Sequence, residues 1–137
     1  MHVTSFYPVL MSDDVAATSA YYQRVLGFET TFSSDWYVSL RLGAAELAIL
    51  DRSHATAPQG FGASPAGVII NVEVTDADTV IAELPNDVRF VLPLRDEPFG
   101  QRHAIIEGPE GVLIDIIQPI EPSPEFAAAY ADGAESR

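Results

Sequence analysis

The stretch Phe99–Pro119, FGQRHAIIEGPEGVLIDIIQP, decides the fold. Two arms rich in Ile and Val, 101–107 and 112–118, flank Gly108-Pro109-Glu110-Gly111. Branched side chains suit a pleated, half-buried strand. Pro109 presets φ for a turn, and Gly111 can take the left-handed conformation that closes a three-residue hairpin. Pairing residue 108 with residue 112 sets Ile105 opposite Asp115 and His103 opposite Ile117. His103 and Asp115 then share one face, a diagonal step apart. A slip of one residue would destroy that arrangement. Asp115 sits among Leu113, Ile114, Ile116 and Ile117. Burying a carboxylate unpaired is costly, so it must meet water, a partner or a ligand.

Outward from this hairpin the pattern continues. VRFVLPLR (88–95) reads as a strand, and DADTVIAEL (76–84) as a helix capped by Thr75 or Asp76 and stopped by Pro85. GVIINVEVT (67–75) is the strand before it. Residues 52–66, RSHATAPQGFGASPA, read as a linker or mobile loop. Phe61, between Gly60 and Gly62, is either a plug at a core edge or a lid over a ligand.

The first half carries the same order. Residues 2–11 alternate, with Val3, Tyr7, Val9 and Met11 on one face and Thr4, Phe6 and Leu10 on the other, as in a strand. Ser12-Asp13-Asp14 caps a helix whose apolar face is Val15, Thr18, Tyr22, Val25 and Leu26. Gly27 stops it. Strands follow at 28–33, 36–43 and 46–50, the last two joined by Gly43-Ala44-Ala45. Asp14 and Asp76, each after a leading strand, stand 62 residues apart. An internal duplication explains the repeat economically. The expected organisation is one domain over 1–137: module one at 2–51, linker 52–66, module two at 67–120 and a tail at 121–137. The tail should hold a short helix to about residue 131 and then fray.

Composition bounds the function. With 137 residues and 47% hydrophobic content, one domain can bury a core. No cysteine is present, which excludes disulfides and thiolate metal sites. No run is long and apolar enough for a transmembrane helix, and MHVTSFYPVL has no basic n-region, so a cytoplasmic protein is expected. The net charge is −13, and all seven cations are arginines. Nucleic acid is excluded as a partner by repulsion, while a cationic ligand would be attracted.

Three histidines are present, His2, His54 and His103. His2 at the terminus and His54 in a loop read as surface residues. His103 beside Asp115 is either an acid–base pair or a satisfied structural histidine. No GxSxG, P-loop, HExxH or GxGxxG pattern occurs. Trp36, the single tryptophan, is either core or a flat face that stacks on a planar ligand and attracts a cation.

Two βαβββ modules, the helix Tyr21-Tyr22-Gln23-Arg24-Val25-Leu26-Gly27-Phe28, and Gly108-Pro109-Glu110-Gly111-Val112-Leu113-Ile114-Asp115 resemble the vicinal oxygen chelate superfamily. That group includes glyoxalase I, extradiol dioxygenases, and fosfomycin- and bleomycin-resistance proteins. The resemblance spans residues 3–119. It implies an α+β fold in which two tandem modules curve their mixed sheets around a cleft, and a homodimer. Metal-dependent members carry His or Gln in a module's first strand and Glu in its last. Those positions fall on Tyr7, Ala48, Ile69 and Asp115. One carboxylate without an imidazole does not make a three- or four-ligand site. The resemblance is therefore to the non-metal, bleomycin-resistance-like branch, with no metal, no cofactor and no catalytic residue.

The expected function is binding of an aromatic small molecule, neutral or cationic, in a cleft lined by Tyr7, Trp36, Phe61, Ile69, His103 and Asp115. Sequestration of an aromatic or peptidic antibiotic would follow. The alternatives are a glyoxalase- or dioxygenase-like enzyme with an altered site, and a scaffold whose cleft is vestigial.

Overall fold

The computed structural model describes residues 1–130. The element order is β1 (Val9–Ser12), α1 (Val15–Leu26), β2 (Glu29–Ser33), β3 (Tyr37–Leu42), β4 (Ala45–Asp51), β5 (Ile69–Glu73), α2 (Ala77–Glu83), β6 (Arg89–Glu97), β7 (Gln101–Glu107), β8 (Leu113–Pro119) and α3 (Pro124–Ala127). The two sheets run β1-β4-β3-β2 and β5-β8-β7-β6. Each has one parallel pair, β1 with β4 or β5 with β8, and antiparallel pairs elsewhere. The same strand–helix–three-strand unit is thus built twice. The fold is α+β with two mixed sheets, as the sequence predicts.

The chain divides into two compact units. The first comprises Met1–Val68 and takes in Gly108–Val112; the second comprises Ile69–Glu107 and the chain from Leu113 onward.

In the first unit, Asp14 caps α1 by accepting from the Ala17 amide at 3.0 Å. Gly27 ends the helix at φ 81°, where only a residue without Cβ is unstrained. Leu10 and Ser12 of β1, Val38 and Leu40 of β3, and Leu47 and Ile49 of β4 are buried and pair in register. Ser12 Oγ lies 2.9 Å from Thr18 Oγ1, so this is the face against α1. Tyr22 of α1 is fully buried and meets Phe28 edge-on.

The first strand is shorter than the alternation over 2–11 predicts. Residues 1–8 lie outside the sheet and are exposed. Pro8 has no amide to add to a ladder, and pairing starts beside it, where the Ala48 amide donates to the Pro8 carbonyl at 3.1 Å. Alternation alone could not reveal that residues 2–7 have no neighbouring strand.

In the second unit, Asp76 repeats the cap of Asp14, accepting from the Thr79 amide. The Ala77 amide donates to Gln118 Oε1, which places α2 on the face of β8 carrying Ile114 and Ile116. Those two side chains, with Ala104 and Ile106, are fully buried. The predicted register holds: Ile105 pairs with Asp115 and His103 with Ile117. The tail helix is one turn, Pro124–Ala127, and ends before the predicted residue 131. The predicted fraying of the last residues lies outside the described residues.

Candidate functional site

The β7–β8 register puts His103, Ile105, Leu113, Asp115 and Ile117 on the sheet face away from α2. Parallel pairing with β5 adds Ile69, Asn71 and Glu73 to it. Asp115 is 7% exposed and His103 5%. His103 Nδ1 lies 2.8 Å from Asp115 Oδ1. Its Nε2 lies 2.9 Å from Glu97 Oε2, and Arg95 Nε donates to the same oxygen at 2.8 Å. A chain of alternating charge, Arg95–Glu97–His103–Asp115, therefore crosses the face.

Two carboxylates accept from one imidazole only if both ring nitrogens carry protons. Burial pulls the His103 pKa down, but the hydrogen bonds to Glu97 and Asp115 outweigh it, and the net shift is upward. The His103 and Arg95 hydrogen bonds hold the Glu97 carboxyl below its usual range. Phe99 meets the imidazole edge-on at 6.4 Å, and Phe126 meets Phe99 at 6.2 Å. The Tyr130 hydroxyl donates to the Phe99 carbonyl, so the chain after β8 is fastened to the β6–β7 turn.

Of the other predicted residues, Ile69 is 55% exposed on this same face. Tyr7, Trp36 and Phe61 belong to the first unit. Tyr7 is 45% exposed, and its phenol acts on that of Tyr37. Burial first, then the Tyr7 phenol, raises the Tyr37 pKa. Trp36 lies just before β3 and contacts the Tyr37 ring at 5.8 Å. Trp36 and Phe32 thus both meet the Tyr37 ring, Phe32 at 6.3 Å. Phe61 is 73% exposed and plugs no core.

His54 is not the bare surface residue that its loop position suggests. Its ring stacks on Trp36 at 3.8 Å with planes 6° apart. The sequence marks Glu110 only as a turn residue, yet it stands in the left-handed region at φ 59°. Its carboxylate accepts from the Asp13 amide, Thr18 Oγ1 and Ser64 Oγ at 3.0–3.2 Å. Burial raises its pKa, but bonds led by that from Ser12 outweigh this and hold the carboxyl low. An anion beside the first turn of α1 also complements the helix dipole. Arg95 was legible in principle. A three-residue turn at Pro98-Phe99-Gly100 sets Arg95 opposite His103, as observed.

The metal-ligand positions of the superfamily do not fit an ion here. Ala48 and Ile69 offer hydrocarbon, and Asp115 Oδ1 is already hydrogen-bonded to His103. Among the described residues, no group of three His, Cys, Asp or Glu side chains could hold a metal. No helix among them is long and apolar enough to cross a membrane.

Two mixed sheets of identical strand order, each closed by a capped helix, define a paired-module βαβββ protein. The chain belongs to the Glyoxalase/Bleomycin resistance protein/Dioxygenase superfamily, whose sequence model matches residues 2–116. It is similar in structure to a glyoxalase/bleomycin resistance protein/dioxygenase from Nocardioides, with TM-score 0.74 and 21% identity over 90% of this chain and 89% of that one. TioX from Micromonospora sp. ML1 gives TM-score 0.69 and 19% identity over 86% and 100%. The bleomycin-binding protein of bleomycin-producing Streptomyces verticillus, solved with copper(II)-bleomycin, gives 0.60 and 23% over 85% and 96%. No curated protein matches the chain.

Proposed function

We propose that this protein binds an aromatic or peptidic antibiotic and sequesters it without chemical change. One observation carries the reading: both ring nitrogens of His103 are committed to carboxylates, at 2.8 and 2.9 Å. A general acid or base needs a nitrogen within reach of substrate. Here the imidazolium is a structural counter-ion, and Asp115 is neutralised by it. A binding face is left, with Ile69, Leu113 and Ile105 as apolar floor and Asn71 as an exposed amide. Tyr7, Trp36 and Phe61 supply the aromatic surface of the first unit. Since Asp115 already has its counter-ion, a neutral part of the ligand suits the floor around it, and Glu73, exposed on the same face, is the carboxylate left for a cationic part. Superfamily membership supports a homodimer as the working form.

The experiment is calorimetry with a panel of aromatic and peptidic antibiotics, copper(II)-bleomycin included, followed by a host survival assay. Saturable binding and raised survival, with the drug recovered intact, are expected.

An enzymatic reading has one observation in its favour. Glu97 sits where β6 meets its turn, and its withdrawal would free His103 Nε2 beside an Asp115 that still orients the ring. Product formation that disappears in His103→Gln would select it.

A further inference from the structure

We propose that segment 120–130 is a strap that controls access to His103: docked on the β6–β7 turn it keeps Glu97 on His103 Nε2, and undocked it opens that nitrogen to solvent. The inference concerns the imidazole and not the identity of the ligand, so it stands or falls apart from the sequestration reading. The turn gives the strap every backbone acceptor of its three residues. The Pro98 carbonyl accepts from the Ser123 amide at 2.8 Å, the Phe99 carbonyl from the Tyr130 hydroxyl, and the Gly100 carbonyl from the Ile120 amide at 2.9 Å. The turn's own closure is the bond from the Gly100 amide to the Glu97 carbonyl at 3.1 Å. Gly100 stands at φ 104°, and a Cβ on it would come within 3.0 Å of the Ile120 carbonyl oxygen and 3.1 Å of the Tyr130 hydroxyl. The strap therefore lies against backbone that has no side chain to hold it off.

Two links run from this seat to the imidazole. Phe99 meets both Phe126 of the strap and the His103 ring edge-on. Glu97 is the residue before the turn, and its pairing with Gln101 is the last of the β6–β7 ladder. A turn released by the strap takes Glu97 with it. Asp115 lies on β8 and keeps its hold on Nδ1, while Nε2 becomes able to give or take a proton. The docked form is thus the binding form, and the undocked form carries a reactive imidazole.

Docking has one cost. Ser123 Oγ is buried and has no hydrogen-bond partner among the described residues, whereas water would satisfy it on undocking. A seat of three hydrogen bonds and one ring contact, opposed by an orphaned hydroxyl, opens more readily than the sheet beneath it.

Diethyl pyrocarbonate acylates an imidazole nitrogen that has a free lone pair and stands open to solvent. Peptide mass mapping separates His103 from His2 and His54, which should label alike in every variant and so calibrate the reagent. Tyr130→Phe removes one bond from the seat, and His103 should label about 2- to 12-fold faster than in the wild type. Phe126→Ala removes the ring contact and should act in the same direction. Ser123→Ala removes the orphaned hydroxyl, and labelling should slow by at least about 5-fold. Ile106→Val weakens the core on the other face of the sheet and should leave His103 labelling unchanged. Wild-type rates in both Tyr130→Phe and Phe126→Ala overturn the proposal, as does Ser123→Ala labelled no more slowly than wild type. A rise in Ile106→Val as large as theirs also overturns it, because His103 would then be reached only through unfolding of the sheet.

Discussion

His103 owes its charge to geometry. An imidazolium between two carboxylates is satisfied, whereas a neutral ring there would aim a lone pair at an anion. Asp115→Asn removes one of the charges that favour the protonated form, so the His103 pKa should fall, read by NMR titration of the ring. An unmoved pKa would mean that the two groups are uncoupled. The network also sets a pH window for stability. The folded pKa of His103 is raised above 6.5, so its contribution is complete below that value and is lost as pH rises through the folded pKa. The folded pKa of Glu97 is lowered from 4.5, so its contribution is present above 4.5 and is lost as pH falls through the folded value. The urea midpoint should therefore be highest between about pH 4.5 and 6.5 for these two groups. In His103→Gln the decline on the alkaline side should vanish. At this scale the sequence was informative where register alone mattered. One carboxylate in an Ile-rich strand and one histidine across a three-residue turn were enough to place His103 against Asp115. Glu97 is not legible from the β7–β8 hairpin because it lies across the β6–β7 turn, where it pairs with Gln101 one diagonal step from His103.

Among the elements, the hairpin tip 108–112 shows how a turn takes on a second task. Glu110 bears left-handed strain that Gly would not, and it is retained by hydrogen bonds from Asp13 and Thr18 at the start of α1 and from Ser64 ahead of β5. Bonds to a charged group are worth about 1.5–3 kcal/mol when partly buried. Glu110→Ala should cost about 1–3 kcal/mol in urea denaturation, given that two of its three bonds are exposed. Glu110→Gly should cost less than Ala, because relief of φ offsets part of the loss. Equal stability of all three would show the carboxylate to be idle. In loop 52–62, Gly62→Ala drives a methyl group into the Arg52 carbonyl. The loop should open, seen as faster proteolysis within 52–62 and altered Trp36 fluorescence. Neither contact was legible beforehand. Turn chemistry identified Gly111 and flagged 52–66 as irregular, but it says nothing about what a turn's side chain reaches. The leading strand misled for the same reason: Val3, Tyr7 and Val9 alternate well, and Pro8 decides where pairing can begin.

For the whole molecule, duplication was the most legible property. Asp14 and Asp76 cap equivalent helices, and the two sheets share one strand order. Such a repeat is written in caps, glycines and strand spacing, which the backbone reads locally. Function is written in contacts between distant residues, such as Trp36 with His54, and a linear pattern hides them. The central claim is that the protein holds its ligand and leaves it unchanged. The most direct measurement is incubation with saturating copper(II)-bleomycin and the other antibiotics of the panel, with calorimetry for binding and mass analysis of the recovered drug. Saturable binding with every molecule recovered intact, unaffected by His103→Gln beyond a change in affinity, is the expected result. A chemically altered product, formed at a rate that depends on His103 and Asp115, would contradict it.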